Sequence, residues 1–361
     1  MKLISSIIFL TAILNFNSYS QSIQVDKFDP AGYVTKYNKQ FNGIGPTVYV
    51  LPAPRTLAEE IIETYAETNS FQDSINKGLI YARLLNNFQK TSKYDDIKNI
   101  IISNNTESNL QDLIKKYTAE NKKDIVAALY NELAYIYLKS KKTNIAISYL
   151  SKALENSVNN TDDKSIIQSN FAHLYLFTKN YTEAIKNQES VLKIATDSKN
   201  LIKQANALTD LALMQAYNKN YNTTENNIIR KAIPLYNKSN DYTGKINAWI
   251  ILAENYRLQN RHTEAQWFLI QARDLAITHK QEKQLPIIEY MMGSSKMIQN
   301  NYKVAASELS KALDLSKIEN NQYLQLAIID QLGRANMHLK NYTEAKSYLN
   351  QYWDLRKSLF L

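Results

Sequence analysis

From Thr56 to the C-terminus, apolar residues recur every three or four positions with polar residues between them, and the pattern hardly breaks. That spacing predicts a succession of amphipathic helices. The first, TLAEEIIETYAET, opens on Thr56 as N-cap, with Glu59 placed to complete a capping box. Upstream the pattern fails. Residues 29–54 hold Pro30, Pro46, Pro52 and Pro54 together with Gly32, Gly43 and Gly45. Proline lacks the N–H and glycine costs backbone entropy, so FNGIGPTVYVLPAPRT cannot be helical. It reads as an extended arm with a short strand at Thr47–Leu51.

Within the helical region one pentapeptide, NYTEA, occurs at Asn180–Ala184 and again at Asn341–Ala345. Looser copies mark a ruler at Ala146, Ala184, Thr224, Ala265, Ala305 and Ala345, spaced 38, 40, 41, 40 and 40 residues apart. Twelve residues before each ruler position stands a small residue: Ala134, Ala172, Ala212, Ala253, Gly293 and Gly333. A large apolar residue precedes each of them: Leu133, Phe171, Leu211, Leu252, Met292 and Leu332. Tyr137, Tyr175 and Tyr256 lie three residues after the small position, and Ala153, Ala272 and Ala312 seven after the ruler; Trp249 takes the leading aromatic position of its repeat. Such a period is the mark of stacked supersecondary units, because one helical hairpin cannot bury both of its apolar faces alone. Small residues belong where two helix backbones cross, and large ones fill the space between. In NYTEA, Thr suits the cap of the second helix, Glu suits its N-terminal dipole, and Ala suits close passage of the first helix.

This frame resembles the tetratricopeptide repeat, over roughly Val126 to Tyr352. The resemblance implies an all-α fold, a right-handed superhelical solenoid of stacked helical hairpins. The period departs from the typical length of about 34 residues, and the extra residues are expected in the second helix and the loop after it. The expected organisation is a signal peptide at 1–20, an extended Pro/Gly-containing arm at 21–55, degenerate helical repeats at 56–122 and six repeats at 123–361. The degenerate part would hold a unit at Gly78–Asn99, phased by KYDDI at Lys93–Ile97, and an extra helix at Leu110–Tyr117.

Composition agrees with a helical chain and adds a compartment. Only seven Gly and six Pro occur in 361 residues, too few for a turn-rich β protein. Lys2, the apolar run Leu3–Leu14 and Ser18-Tyr19-Ser20 before Gln21 form the pattern of a cleavable secretory signal, and the run is short for a membrane span. The expected location is therefore the periplasm, the cell envelope or the exterior. There is no cysteine, so stability outside the cytoplasm rests on packing without disulfides. The formal charge of +9 is dispersed over solvated helix faces without a basic run, which argues against nucleic acid and leaves room for weak contact with an anionic membrane surface.

Catalytic signatures are absent. His173, His262, His279 and His338 are scattered, no metal-binding cluster or phosphate loop is present, and Gly43-x-Gly45 runs into Pro46. No catalytic residue, cofactor or metal is expected. In arrays of the resembled family the first helices line a concave groove, and carrying those positions over gives a candidate set for partner binding. It comprises Asn131, Tyr135 and Leu138; Ser169, His173 and Leu176; Thr209, Leu213 and Ala216; Ile250, Glu254 and Arg257; Tyr290, Ser294 and Met297; Asp330, Arg334 and Met337. Lys and Asn are not placed for the basic clamp by which some relatives grip a C-terminal carboxylate. The mixed aromatic, thioether and amide surface suits an extended peptide or a partner helix. A second candidate is the chain's end, NQYWDLRKSLFL, which no capping helix follows; Tyr352, Trp353, Leu355, Leu359, Phe360 and Leu361 would form a docking or self-association face. The expected function is a non-enzymatic scaffold or adaptor for a protein or peptide of an envelope complex. The competing expectation is a sensory or carrier module for a small envelope ligand, glycan or peptidoglycan fragment, favoured if Tyr135 and Tyr290 face each other.

Overall fold

The computed structural model describes residues 54–103, 107–157 and 160–360. The expected signal, nearly all of the arm and its strand at Thr47–Leu51 lie outside these residues. Thr56–Leu361 forms one compact unit. Its described elements are helical throughout: α1 (Leu57–Thr68), a 3-10 turn at Asn69–Phe71, α2 (Gln72–Asn87), α3 (Tyr94–Ser103) and α4 (Glu107–Ala119) precede six stacked hairpins. These are α5 (Lys123–Lys139) with α6 (Thr143–Asn156), α7 (Thr161–Phe177) with α8 (Tyr181–Asp197), and α9 (Leu201–Tyr217) with α10 (Tyr221–Asn226) and α11 (Ile233–Ser239). There follow α12 (Tyr242–Arg257) with α13 (His262–Thr278), α14 (Leu285–Ile298) with α15 (Tyr302–Ile318), and α16 (Gln322–His338) with α17 (Tyr342–Phe360). No described helix is long and apolar enough to cross a membrane.

The geometry explains the period. Helices α7, α8, α9, α13, α15 and α16 each have 17 residues, and three residues separate most neighbours. The middle residue of each such turn has positive φ, as at Lys141, Lys179, Lys199, Lys219, Asn300, Asn320 and Lys340. The next N–H then reaches back to close the helix end, as from Asn180 to the Tyr175 carbonyl (2.8 Å) and from Asn220 to that of Gln215 (2.8 Å). The extra length is thus shared equally by both helices, and no long loop carries it. The two irregular spacings have local causes. The 41-residue step contains a π-helical stretch at Asn227–Ala232, just ahead of Pro234, which takes up one extra residue. The 38-residue step contains α6, which has only 14 residues.

All six ruler residues are fully buried. At Thr224 the hydroxyl donates to the Ala212 carbonyl (3.1 Å), so the ruler abuts the small position of the partner helix as the packing argument requires. The cap differs from the expectation: Asn180 is the N-cap of α8, accepting from the Glu183 N–H, while Thr182 lies exposed in the first turn. Asn200, Asn321 and Asp241 cap their helices in the same way. An Asx side chain one residue after the left-handed turn is correctly placed to accept, whereas Thr182 is already helical.

The N-terminal helices do not simply extend the stack. α3 and α4 pack on α5, and α4 matches the expected helix at Leu110–Tyr117. Gly78, expected to begin a repeat, belongs to α2, which lies across the inner face against α5, α7 and α16. Ile75 of α2 joins the core of the later hairpins, and Leu84 joins that of the earlier ones. Tyr81 donates to the Leu138 carbonyl (2.8 Å), and its ring meets Phe177 and Tyr323. Close approach needs Gly78: a Cβ there would stand 2.6 Å from the Tyr323 ring.

α1 covers the last hairpin. Ile61 and Tyr65 pack with Ala345 and Leu349, and the Tyr65 hydroxyl donates to the Ala345 carbonyl (3.1 Å). This corrects the expectation of an open C-terminal face. Tyr352 is 1% exposed; Trp353 meets Phe71 edge-on; Phe360 meets Tyr323; and the Leu359 carbonyl accepts from Lys141 Nζ (3.2 Å) in the first hairpin's turn. The shielding helix that a solenoid end needs is supplied from the N-terminus, and the first and last hairpins touch.

Candidate functional site

The inner face divides into parts filled by the chain's own N-terminal segment and a part left open. Just beyond α2 the chain is extended at Phe88 (φ −67°, ψ 117°). The next residue is gripped through its backbone. The Gln89 N–H donates to Asn170 Oδ1 (2.8 Å), and its carbonyl accepts from Asn170 Nδ2 (2.9 Å) and Asn131 Nδ2 (3.1 Å). Asn170 also donates to Asn131 Oδ1 (2.9 Å), so the two amides form a ladder. Tyr135 stacks obliquely on Phe88, with Lys90 Nζ 3.7 Å from its ring centre, and Lys90 pairs with Glu132. Asp163 accepts from the Ser92 N–H (2.7 Å) and hydroxyl (3.0 Å). At the other end, Asp330 accepts from Gln72 (3.0 Å), and Arg334 donates to Thr68 Oγ1 and Asn69 Oδ1 (2.7 Å each).

Asn131, Tyr135, Asp330 and Arg334 thus lie on the inner face, with this chain's own backbone and side chains as their partners. Ser169 is buried, and His173 is buried with Nε2 3.6 Å from Asp210. Thr209 departs from the groove expectation. Its hydroxyl donates to the Ala205 carbonyl (2.8 Å) and meets the Tyr236 hydroxyl at 3.0 Å, inside its own hairpin. Leu213 is likewise core.

Glu254, Arg257 and Tyr290 line the open part, a cavity of about 1190 Å³ between one flank of α2 and the inner ends of α9, α12, α14 and α16. Arg83 of α2 and Tyr217 of α9 join them there. Tyr217 donates to Glu254 Oε1 (2.9 Å), Arg257 Nη1 to Glu254 Oε2 (3.2 Å), and Arg257 Nη2 to the Ser294 hydroxyl (3.0 Å), which also accepts from Gln331 (3.1 Å). Arg83 lies beside Tyr217 and Glu254, which favour its charge. Burial alone would push the Glu254 carboxyl up, but Arg257, Arg83 and the Tyr217 hydroxyl outweigh it and hold the group below its usual range. Burial pushes Tyr290 up to about 12. No residue type in the repeat frame announces Arg83: it reaches the cavity only because α2 crosses there. Asn170 lay one residue from the carried-over position Ser169 and is the residue that does the holding.

A second buried cluster sits away from the cavity. Arg273 of α13 faces both Glu289 of α14 (3.6 Å) and Glu308 of α15 (3.8 Å). Burial, then the neighbouring Glu308, pushes Glu289 up to about 7. A carboxyl whose folded value is raised favours folding below its unfolded value and loses that advantage as pH climbs, here between about 4.5 and 7. Glu289→Gln, a permanent mimic of the neutral acid, should therefore gain about 1–3 kcal/mol at pH 8 and little near pH 4.5. Urea unfolding at both values measures it; an equal effect at the two would remove the titration from the account.

No group of residues suited to holding a metal ion is found among the described residues. The tetratricopeptide repeat family model matches residues 124–197. Among solved structures the chain is similar to a Rap protein complexed with Competence and Sporulation Factor, with TM-score 0.54, 15% identity and 77% of each chain covered. It is similar also to aspartyl phosphate phosphatase F from Bacillus subtilis, with TM-score 0.50, 15% identity, and 90% of this chain and 79% of that one covered. No curated protein matches the chain in sequence. At 15% identity the likeness is one of fold. The repeat frame, the stacked hairpins and the matched segment agree: residues 124–197 match the tetratricopeptide repeat, and Thr56 to the C-terminus has the fold of a tetratricopeptide-like α-solenoid.

Proposed function

We propose that this protein is a non-enzymatic binding module, exported to the periplasm or cell envelope, that holds a protein or peptide segment on its inner face. One observation carries the reading. The inner face already grips an extended main chain at Gln89, through both its N–H and its C=O, and about 1190 Å³ of that face beside α2 is left open. Amide side chains that satisfy backbone donors and acceptors are what recognition of an extended segment needs. The Rap protein of similar fold was solved in a complex with Competence and Sporulation Factor, which supports the use of this architecture for a partner. The small-ligand reading looked for Tyr135 and Tyr290 facing each other. Tyr135 is instead packed on Phe88 and Lys90, and Tyr290 lines the open cavity.

The reading is tested in cells by a photo-crosslinking residue in place of Asn247, which lines the cavity, or of Trp267, which is 55% exposed on α13. A defined adduct is expected at 247 and not at 267. Equal labelling at both positions, or none at either, counts against an inner-face binding site. Export is tested separately, by fractionation and N-terminal sequencing. A mature chain beginning at Gln21 is expected, and a cytoplasmic chain retaining Met1 removes that part.

A further inference from the structure

The open cavity contains two arginines whose donors are not all met. Arg83 Nη1 and Arg257 Nε are both buried without a hydrogen-bond partner. Glu254 accepts from Tyr217 through Oε1 and from Arg257 Nη1 through Oε2, and makes no hydrogen bond to either of the two unpartnered N–H groups. Asp210, on α9, also faces Arg83, but its Oδ2 is 3.6 Å from His173 Nε2. Around the whole cavity, Arg83, Arg257 and Lys283 stand against Glu254 and Glu319. His262 adds no charge near neutral pH, because burial and the Arg257 charge lower its pKa. A guanidinium offers five N–H donors in a fixed plane that matches the two oxygens of a carboxylate, and a buried donor without an acceptor costs free energy.

Resting on the binding reading above, we propose that the cavity seats a carboxylate of an extended peptide, held between Arg83 and Arg257. The rest of the lining fits a peptide. Its volume exceeds the roughly 300–1000 Å³ usual for small-molecule pockets. Asn76, Asn247, Asn260 and Asn321 offer amides to a backbone, while Leu79, Ile250, Ile287 and Met291 offer apolar contact to flanking side chains. The site is not the lysine–asparagine clamp of other arrays. One of its two cations comes from α2, outside the repeats, so the chain completes its own groove with the residue that reads the ligand's charge.

The test uses the purified chain and three fluorescent pools of short peptides, random except at the centre. One has central Glu with both termini capped; one has central Gln with both capped; one has central Gln with a free C-terminus. Anisotropy should show one or both carboxylate-bearing pools binding about tenfold or more tighter than the neutral pool, and which of the two binds assigns the carboxylate to a side chain or to the terminus. Arg83→Met should abolish the difference between the charged and neutral pools. Should that variant not fold, the comparison of pools on the unaltered chain still decides. Equal binding of all three pools overturns the carboxylate and leaves the binding reading standing. No binding of any pool overturns both.

Discussion

Tyr65→Ala should cost about 3–5 kcal/mol of stability, the range for emptying a large buried aromatic site. The side chain is 1% exposed, sits with Ile61 against Ala345 and Leu349, and donates to the Ala345 carbonyl. Its loss removes apolar contact and leaves that bond unmade. The consequence is regional, because α1 is what shields the last hairpin. Hydrogen exchange should speed up in α1 and α17 together, more than in α7 or α8. The same seam can be opened from the opposite side. Gly333 lies under the tyrosine, and a Cβ there would stand 1.5 Å from Tyr65 Oη and 2.6 Å from Cζ. Alanine is ordinarily better than glycine inside a helix by about 1 kcal/mol, yet Gly333→Ala should destabilise, because Tyr65 must leave its site. Thermal melts and exchange of both variants measure this. A loss below about 1 kcal/mol for Tyr65→Ala, with unchanged exchange in α17, would mean that α1 does not close the solenoid.

Glu254→Gln should be nearly as costly, at about 3–5 kcal/mol, since removing one partner of a buried ion cluster leaves the others uncompensated. Here the others are Arg83 and Arg257, with Tyr217 and Ser294 tied to the same network. Burial acts against the charged carboxyl, and the arginines and the tyrosine hydroxyl reverse that, so its folded pKa lies below the unfolded one. A group of that kind stabilises above its unfolded value, about 4.5, and loses the contribution as pH falls through the folded one. The gap between the native chain and the variant should therefore be full at pH 7 and shrink under acid. A double variant with Arg257→Gln should lose less than the two single changes added together, which a double-mutant cycle reads directly. Additive losses, or a gap independent of pH, would detach Glu254 from the arginines. A bound carboxylate would substitute for part of what Glu254 supplies, so a tight-binding acidic peptide should also narrow the gap.

Electrostatics then sets opposite slopes at the two ends of the pH scale. The Glu254 network weakens in acid, and the Glu289 carboxyl is penalised as pH rises toward about 7. The two clusters sit on neighbouring hairpins, and the variants separate their contributions.

The repeat was legible in the chain because its causes are local and recur. A polar turn near every twentieth position, a small residue at each helix crossing and an apolar stripe repeat with the hairpin, so Ala146 through Ala345 could be placed from the chain alone. Even the irregular steps of 38 and 41 residues have local origins, in the short α6 and in the π-helical stretch before Pro234. Much of the inner face was legible for the same reason: Asn131, Tyr135, Glu254, Arg257, Tyr290, Asp330 and Arg334 followed from the frame.

What those residues face was not legible. Whether α1 and α2 extend the stack or lie across it depends on contacts between positions more than two hundred residues apart, such as Tyr65 with Ala345 and Gln72 with Asp330. An amphipathic helix carries the same pattern whichever apolar surface receives it, so α2 reads as another repeat element until the curvature of six hairpins offers it a groove. The sequence by itself determined the hairpin, its period and the residues turned inward. Only the tertiary structure decided that the groove is part-filled by its own chain, that the C-terminal apolar end is covered, and that Arg83 and Arg257 line the same open space. Periodicity encodes the face a helix buries; the partner of that face is chosen by summed long-range packing, which no local window contains.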